Sequence, residues 1–263
     1  MSTREGAPVR YRALVEYDGT DFAGFQVQPG ARTVQGELEA TLARICDGSR
    51  VRVDAAGRTD AGVHALGQVI AFTDPRGRSA AELARALDAL LPGDVAIREV
   101  RRVPAGFHPR HAARYREYRY TVWNGPRSPL RERFALGVRA PLDAAAMERA
   151  ASALVGRHDF SAFAVAHRQP VRTVHSVRVR RDGSYVTIDV TADAFLRQMV
   201  RRIVAALLEV GRGKTDEEAV AAALASGRPA FNGAVAPAKG LCLRRVVLGR
   251  RPASTIARSN GER

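Results

Sequence analysis

The hydrophobic period of the N-terminal part of the chain changes in an order that few folds satisfy. Val9–Tyr17 alternates apolar and polar residues and reads as a strand. Thr33 can cap a helix that carries Val34, Leu38, Leu42 and Ile45 on one face. Strand-like runs follow at residues 51–55 and 67–73. SAAELARALDALLPG then pairs Ser79 with Glu82 as a capping box, aligns Leu83, Leu87 and Leu90, and stops at Pro92-Gly93. DVAIREVRRV reads as a strand. The order β-α-β-β-α-β is the split arrangement of ferredoxin-like and RNA-recognition folds.

The second half echoes this order. Ala113–Trp123 reads as a strand, and a helix from Asp143 turns Met147, Ala150 and Leu154 inward. VRTVHSVRVR and SYVTIDV flank Asp182-Gly183, a strong hairpin signal. The periodicity of DAFLRQMVRRIVAALLEV predicts one long helix from Asp193, and TDEEAVAAALASG predicts another with a Thr215/Glu218 capping box. Residues 240–248 close as a strand. The expectation is an α+β chain with one half at residues 1–105 and a second at 106–250. The two sheets can join, and a site is expected in the cleft between the halves. Residues 1–8 and 251–263 read as loose ends.

Charge narrows the partners. Lysine plus arginine number 42 against 27 acids, a net charge of +15, and all but Lys214 and Lys239 of the basic residues are arginine. That excess favours polyanions, chiefly nucleic acid. Apolar content of 46 % supports a folded core. Cys46 and Cys242 form no CxxC pair and read as reduced, small hydrophobes. The N-terminus lacks an apolar signal core, and no apolar run approaches the roughly 20 residues that span a bilayer. The expectation is a soluble, cytoplasmic protein with no membrane partner.

Three segments could carry chemistry. AAGRTDAGVH places Asp60 after a short strand, with Arg58 two residues before it and Gly57 and Gly62 on either side. A carboxylate there can be held close to a substrate, although a turn aspartate bonding its own backbone has the same surroundings. In RYREYRYTVWN, strand alternation puts Arg116, Tyr118, Tyr120 and Val122 on one face. Tyrosines among arginines can stack bases, and they equally suit a sheet with one core-facing row. On the predicted helix from Asp193, Leu196, Met199, Val200, Ile203 and Leu207 form a buried stripe. Arg197 and Arg201 lie together on one polar edge of it, and Arg202 lies on the far side. Such arginines are ordinarily a solvated face, but one beside a buried stripe can reach a carboxylate in a cleft.

Other chemistries fail on spacing. GRGKT resembles the end of a phosphate-binding loop, but the required earlier glycine is Leu208, and a helix precedes it instead of a strand. The six histidines show no HxxxH or HExxH spacing, and no GxSxG elbow exists.

AAGRTDAGVHALGQV resembles the signature of the tRNA pseudouridine synthase A family. EYDGTDFAGFQ, LPGDVAIREV, FHPRHAARYREYRYTVWN, GRHDFSAF, AFLRQMVRRIVAALLEVGRG and AKGLCL resemble further segments of that family, in the same order. The resemblance implies two ferredoxin-like halves whose antiparallel sheets combine across a central cleft. It implies a homodimer that grips tRNA and converts uridine to pseudouridine at tRNA positions 38, 39 and 40, in the anticodon stem-loop, without a metal or organic cofactor. Residue by residue, Asp60 matches the catalytic aspartate and Tyr118 the tyrosine that stacks on the target base. Arg201 matches the basic partner of that aspartate, and Arg58 an arginine that holds the displaced base. Leu241 matches a residue packing beside the target uracil. Two positions depart from the pattern: Phe25 stands where the family usually has Trp, and Cys242 where it often has an aromatic.

The chemistry suits these residues. Breaking the uracil N1–C1′ bond puts positive character on the ribose and negative charge on the base. A carboxylate beside C1′ or C2′ can attack the sugar, take its proton or stabilise charge. The loose base needs a stacking ring and an apolar wall, for which Leu241 and Phe25 are candidates. Two other readings fit the composition: a non-catalytic RNA-binding protein, and a pseudouridine synthase acting on a different RNA.

Overall fold

The computed structural model describes residues 7–228 and 230–249, and the expected tail at 251–263 lies outside them. Ten strands form one sheet. In the first half, β1 (Val9–Tyr17), β2 (Asp54–Ala55), β3 (His64–Asp74) and β4 (Val95–Arg102) take the order β4-β1-β3-β2, with α1 (Val34–Ile45) and α2 (Ala80–Leu90) as crossovers. The short α3 (Pro109–Ala112) leads into the second half. There β5 (Ala113–Trp123), β8 (Val171–Asp182), β9 (Tyr185–Ala192) and β10 (Leu241–Leu248) repeat the pattern as β10-β5-β9-β8. This half adds β6 (Leu136–Gly137) beside β5 and β7 (Gly156–Asp159) beyond β8. Its main helices are α4 (Ala144–Ser152), α5 (Met199–Gly211) and α6 (Glu218–Ser226). Each half is a ferredoxin-like α+β unit. Pairing is antiparallel within the order 4-1-3-2, and the halves join through a short parallel ladder, Cys242 against His64 and Leu243 against Ala65.

The join depends on the shortness of β2. The strand expected at 51–55 pairs only at Asp54 and Ala55. Ahead of it, α1 side chains stand in for a strand partner: Glu39 Oε1 accepts the Val53 N–H at 3.0 Å, and Gln35 Nε2 donates to the Val53 carbonyl at 3.1 Å. At its other end β2 stops at Ala55, opposite Ile70, and the chain turns into a loop, so the first residues of β3 are left for β10 to pair with.

Two further expectations shift. The helix predicted from Asp193 begins at Met199. Asp193 Oδ1 accepts the Thr173 and Ala194 N–H groups, which pins a bend, and Gln198 takes a left-handed φ of 63° at the helix entrance. The Thr215/Glu218 capping box does not form; α6 starts at Glu218, and Asp216 Oδ1 accepts the Ala219 N–H one residue further on. The Ser79/Glu82 box forms as expected.

Two hydrophobic cores lie on the same side of the sheet. One packs β1 and β3 under α1 and α2, and the other packs β5, β8 and β9 under α4 and α5. Neighbouring same-face residues of β10 divide between them: Leu241 joins the second core and Leu243 the first. Tyr118 packs against both, so it marks the line where the two helix layers part. The opposite face of the sheet is polar and laced with ion pairs such as Arg119–Asp189 and Arg245–Glu117.

Candidate active site

Asp60 sits in the loop from β2 to β3, at the seam between the halves. Neighbouring segments fix its backbone. The Thr59 carbonyl accepts the Phe25 N–H at 3.1 Å, and the Asp60 carbonyl accepts the Val63 N–H at 3.2 Å in a turn. The Gly62 N–H donates to the Phe22 carbonyl at 3.3 Å. Thr59 Oγ1 and Tyr17 Oη share a buried hydrogen bond of 2.8 Å. The segment DGTDFAGFQ is thus a clamp on the aspartate loop. Gly24, at φ +102°, lies so close that a Cβ there would meet the Thr59 carbonyl oxygen at 3.0 Å. Gly62, at φ +76°, holds the other end of the turn against Ala238. Gly57 has an ordinary φ and open space around it, so of the two glycines flanking Asp60 only Gly62 is required by conformation.

The fold brings Asp60, Tyr118 and Arg201 together. Arg201 Nη1 is 3.6 Å from Asp60 Oδ2, an ion pair too long to be a hydrogen bond. Arg201 Nε donates to the Ala236 carbonyl at 2.7 Å, and the Ala236 N–H returns a bond to the Arg201 carbonyl at 3.1 Å. The guanidinium is therefore aimed by backbone. The Asp60 side chain retains 33 % exposure and that of Arg201 17 %, so the carboxylate is open to a substrate while its partner is mostly enclosed.

Tyr118 stands edge-on to Phe195, with ring centroids 5.1 Å apart. Burial pushes its phenol above the usual tyrosine range, and the charge of Asp60 adds to that while Arg116 opposes it. Asp60 and Tyr118 are thus electrostatic neighbours.

The other expected residues differ in placement. Arg58 is exposed and makes no hydrogen bond or ion pair with any described residue. Leu241 is 5 % exposed and pairs across the ladder with Tyr120, whereas Leu243 is the residue opposite Tyr118. Phe25 is wholly buried against Tyr17, with ring centroids 6.2 Å apart, so it supports the clamp from beneath and does not line open space. Burial pushes the Cys242 thiol up to about 11, and both cysteines are free.

Sequence reasoning placed Arg116 on the Tyr118 face but assigned it no task. Its guanidinium donates to the Asp193 carbonyl at 2.6 Å and to the Ala56 carbonyl at 2.7 Å. Period-two alternation could have marked it as inward-facing. Nothing in the sequence names backbone acceptors.

A surface hollow of about 580 Å³, lined by Tyr115, Glu117, His175 and Thr191 among others, opens elsewhere. Its β5 residues alternate with Tyr118 and so point to the opposite face of the sheet. Among the described residues, no group of three or more His, Cys, Asp or Glu side chains could hold a metal ion. No helix among them is long and apolar enough to cross a membrane.

A carboxylate at the seam of two ferredoxin-like halves, paired with an arginine and near a partly buried tyrosine, marks this loop as the candidate site. Comparison with known proteins then specifies the family. The sequence profile described as tRNA pseudouridine synthase matches residues 13–111 and 150–247. A protein named tRNA pseudouridine synthase A from Geotalea uraniireducens is 44 % identical over 236 residues, covering 88 % of this chain and 96 % of that protein. One of the same name from Halalkalibacterium halodurans is 45 % identical over 231 residues, covering 86 % and 88 %. The structure of an H/ACA ribonucleoprotein bound to a substrate RNA containing 2′-deoxyuridine overlaps 76 % of this chain and 44 % of that chain, at 10 % identity and a TM-score of 0.37. The chain belongs to the tRNA pseudouridine synthase family and is an enzyme of the isomerase class.

Proposed function

We propose that the enzyme isomerises uridine to pseudouridine at positions 38, 39 and 40 of tRNA, in the anticodon stem-loop, with Asp60 as the catalytic carboxylate. The observation that carries this reading is the placement of Asp60, one-third exposed and 3.6 Å from Arg201, beside Tyr118. The target uridine is extruded from its stack, at a cost of roughly a few kcal/mol. The exposed Arg58 side chain fills the gap it leaves. Asp60 acts at the ribose as the N1–C1′ bond breaks, and the detached uracil stays against the Tyr118 ring while it turns. C5 then bonds to C1′, C5 loses its proton and N1 gains one, so atoms and electrons balance without an oxidant or water. Leu241 packs beside the base. Phosphate contacts from the arginine-rich surface place the stem. The reading includes a homodimer sharing one tRNA surface, working in the cytoplasm.

The test is site-resolved pseudouridine mapping on tRNA transcripts with uridine at each of the three positions. Wild type should modify them. Asp60→Ala should form no pseudouridine while binding tRNA nearly as well, with an affinity that falls steeply as salt rises. Substantial turnover by Asp60→Ala, or modification only at other positions, overturns the reading.

A further inference from the structure

We propose that Arg116 is a positioning residue that sets the spacing of Asp60, Tyr118 and Arg201. The proposal rests on the reading of Asp60 as the catalytic carboxylate. Arg116 lies two residues before Tyr118 on the same face of β5. Its Nη2 donates to Ala56 at 2.7 Å, at the root of the aspartate loop, and to Arg110 of α3 at 3.4 Å. Its Nη1 donates to Asp193 at 2.6 Å, where the chain leaves β9 for the bend that delivers α5 and Arg201. One planar group thus ties the segments that carry all three site residues, and it does so across the two halves.

The acceptors make the case sharper. Arg119, three residues on, sits on the polar face with both arms on the Asp189 carboxylate. Arg116 has no carboxylate partner among the described residues and rests on carbonyl oxygens alone. A partly buried guanidinium on neutral acceptors is poorly compensated for lost hydration. Burial accordingly lowers its pKa. An apolar residue would serve packing better, so its presence follows from what it holds in place. The two short bonds to different elements need the fixed fork of a guanidinium, and a lysine ammonium has a single nitrogen.

The test compares Arg116→Ala and Arg116→Lys with wild type in single-turnover and steady-state assays on tRNA. Misplacing a reacting group by about 1 Å costs on the order of 100-fold in rate. Both variants should lose about that factor in kcat, with KM for tRNA within about 3-fold. Millimolar guanidinium should restore part of the Arg116→Ala rate and leave the wild-type rate unchanged. Hydrogen exchange should rise at residues 57–63 and 194–198 and stay unchanged in α4 and β8. Three results would overturn the proposal: an unchanged kcat; a raised KM at constant kcat, which makes Arg116 an RNA contact; or uniform exchange with no rescue, which makes it a general stability residue. Uniform exchange in Arg116→Lys as well decides the same way if either substitution unfolds the chain. Asp60→Ala runs alongside: activity there removes the underlying reading, whatever Arg116 does.

Discussion

Arg201 Nη1 meets Asp60 Oδ2 at 3.6 Å across the boundary between two helix layers, each packed on its own half of the sheet. Because both side chains keep some solvent contact, the pair is worth at most about 1 kcal/mol to folding. On the proposed reading of Asp60 as the catalytic carboxylate its value to catalysis is larger, since a preorganised cation beside developing charge is worth roughly 100-fold in rate. Arg201→Met should therefore lower the single-turnover rate of pseudouridine formation by about 100-fold and leave the urea midpoint nearly unchanged. An equal loss of rate and stability would mean that Arg201 serves only the fold.

The glycines around Asp60 separate by geometry. Gly57→Ala meets no atom within 4 Å and no unusual φ, so its stability should stay within about 0.5 kcal/mol of wild type. Gly62→Ala must hold an L-residue at φ +76° and should cost roughly 1–2 kcal/mol. Gly24→Ala adds contact with the Thr59 carbonyl to a φ of +102°, so it should cost more than Gly62→Ala and also slow turnover by shifting the loop. Denaturant melts and single-turnover rates on the three variants check the order. A Gly57→Ala variant as impaired as Gly24→Ala would refute the clamp.

The same contrast shows what the residues alone could reveal. Alternation placed Tyr118, Tyr120 and Arg116 on one strand face, and the glycine-flanked Asp60 after a strand, because period and turn chemistry are local. The truncation of β2 was not legible, since it depends on Gln35 and Glu39 reaching from a helix to Val53. The late start of α5 was hidden because its apolar stripe runs on through Leu196, while Asp193 spends its carboxylate on a β8 amide. Leu241 and Leu243 share a face and a composition. Only the register distinguishes the one opposite Tyr118.

Three phenols should make the enzyme sensitive to alkali. Tyr17, Tyr118 and Tyr120 all have pKa values raised by burial, above the ordinary value of about 10. The Tyr120 hydroxyl donates to the Pro237 carbonyl at 2.8 Å, and that of Tyr17 bonds Thr59. A folded-state pKa above the unfolded one means that the native state keeps protons the unfolded chain would release. Stability from these groups is therefore complete below about pH 10 and is lost as pH climbs toward the folded values. Each phenol contributes up to about 1.4 kcal/mol per pH unit in that window, so the three together approach about 4. Urea melts should be insensitive to these groups from pH 7 to 9 and then weaken steeply. Tyr118→Phe should remove about a third of the slope, and the wild-type rate should show no alkaline limb from Tyr118 below pH 10. Tyrosinate absorbance offers the decisive check: the signals of Tyr17, Tyr118 and Tyr120, each identified by its Tyr→Phe difference, should be absent while circular dichroism remains native. Ionisation of any of these three in the folded enzyme would undo the assignment.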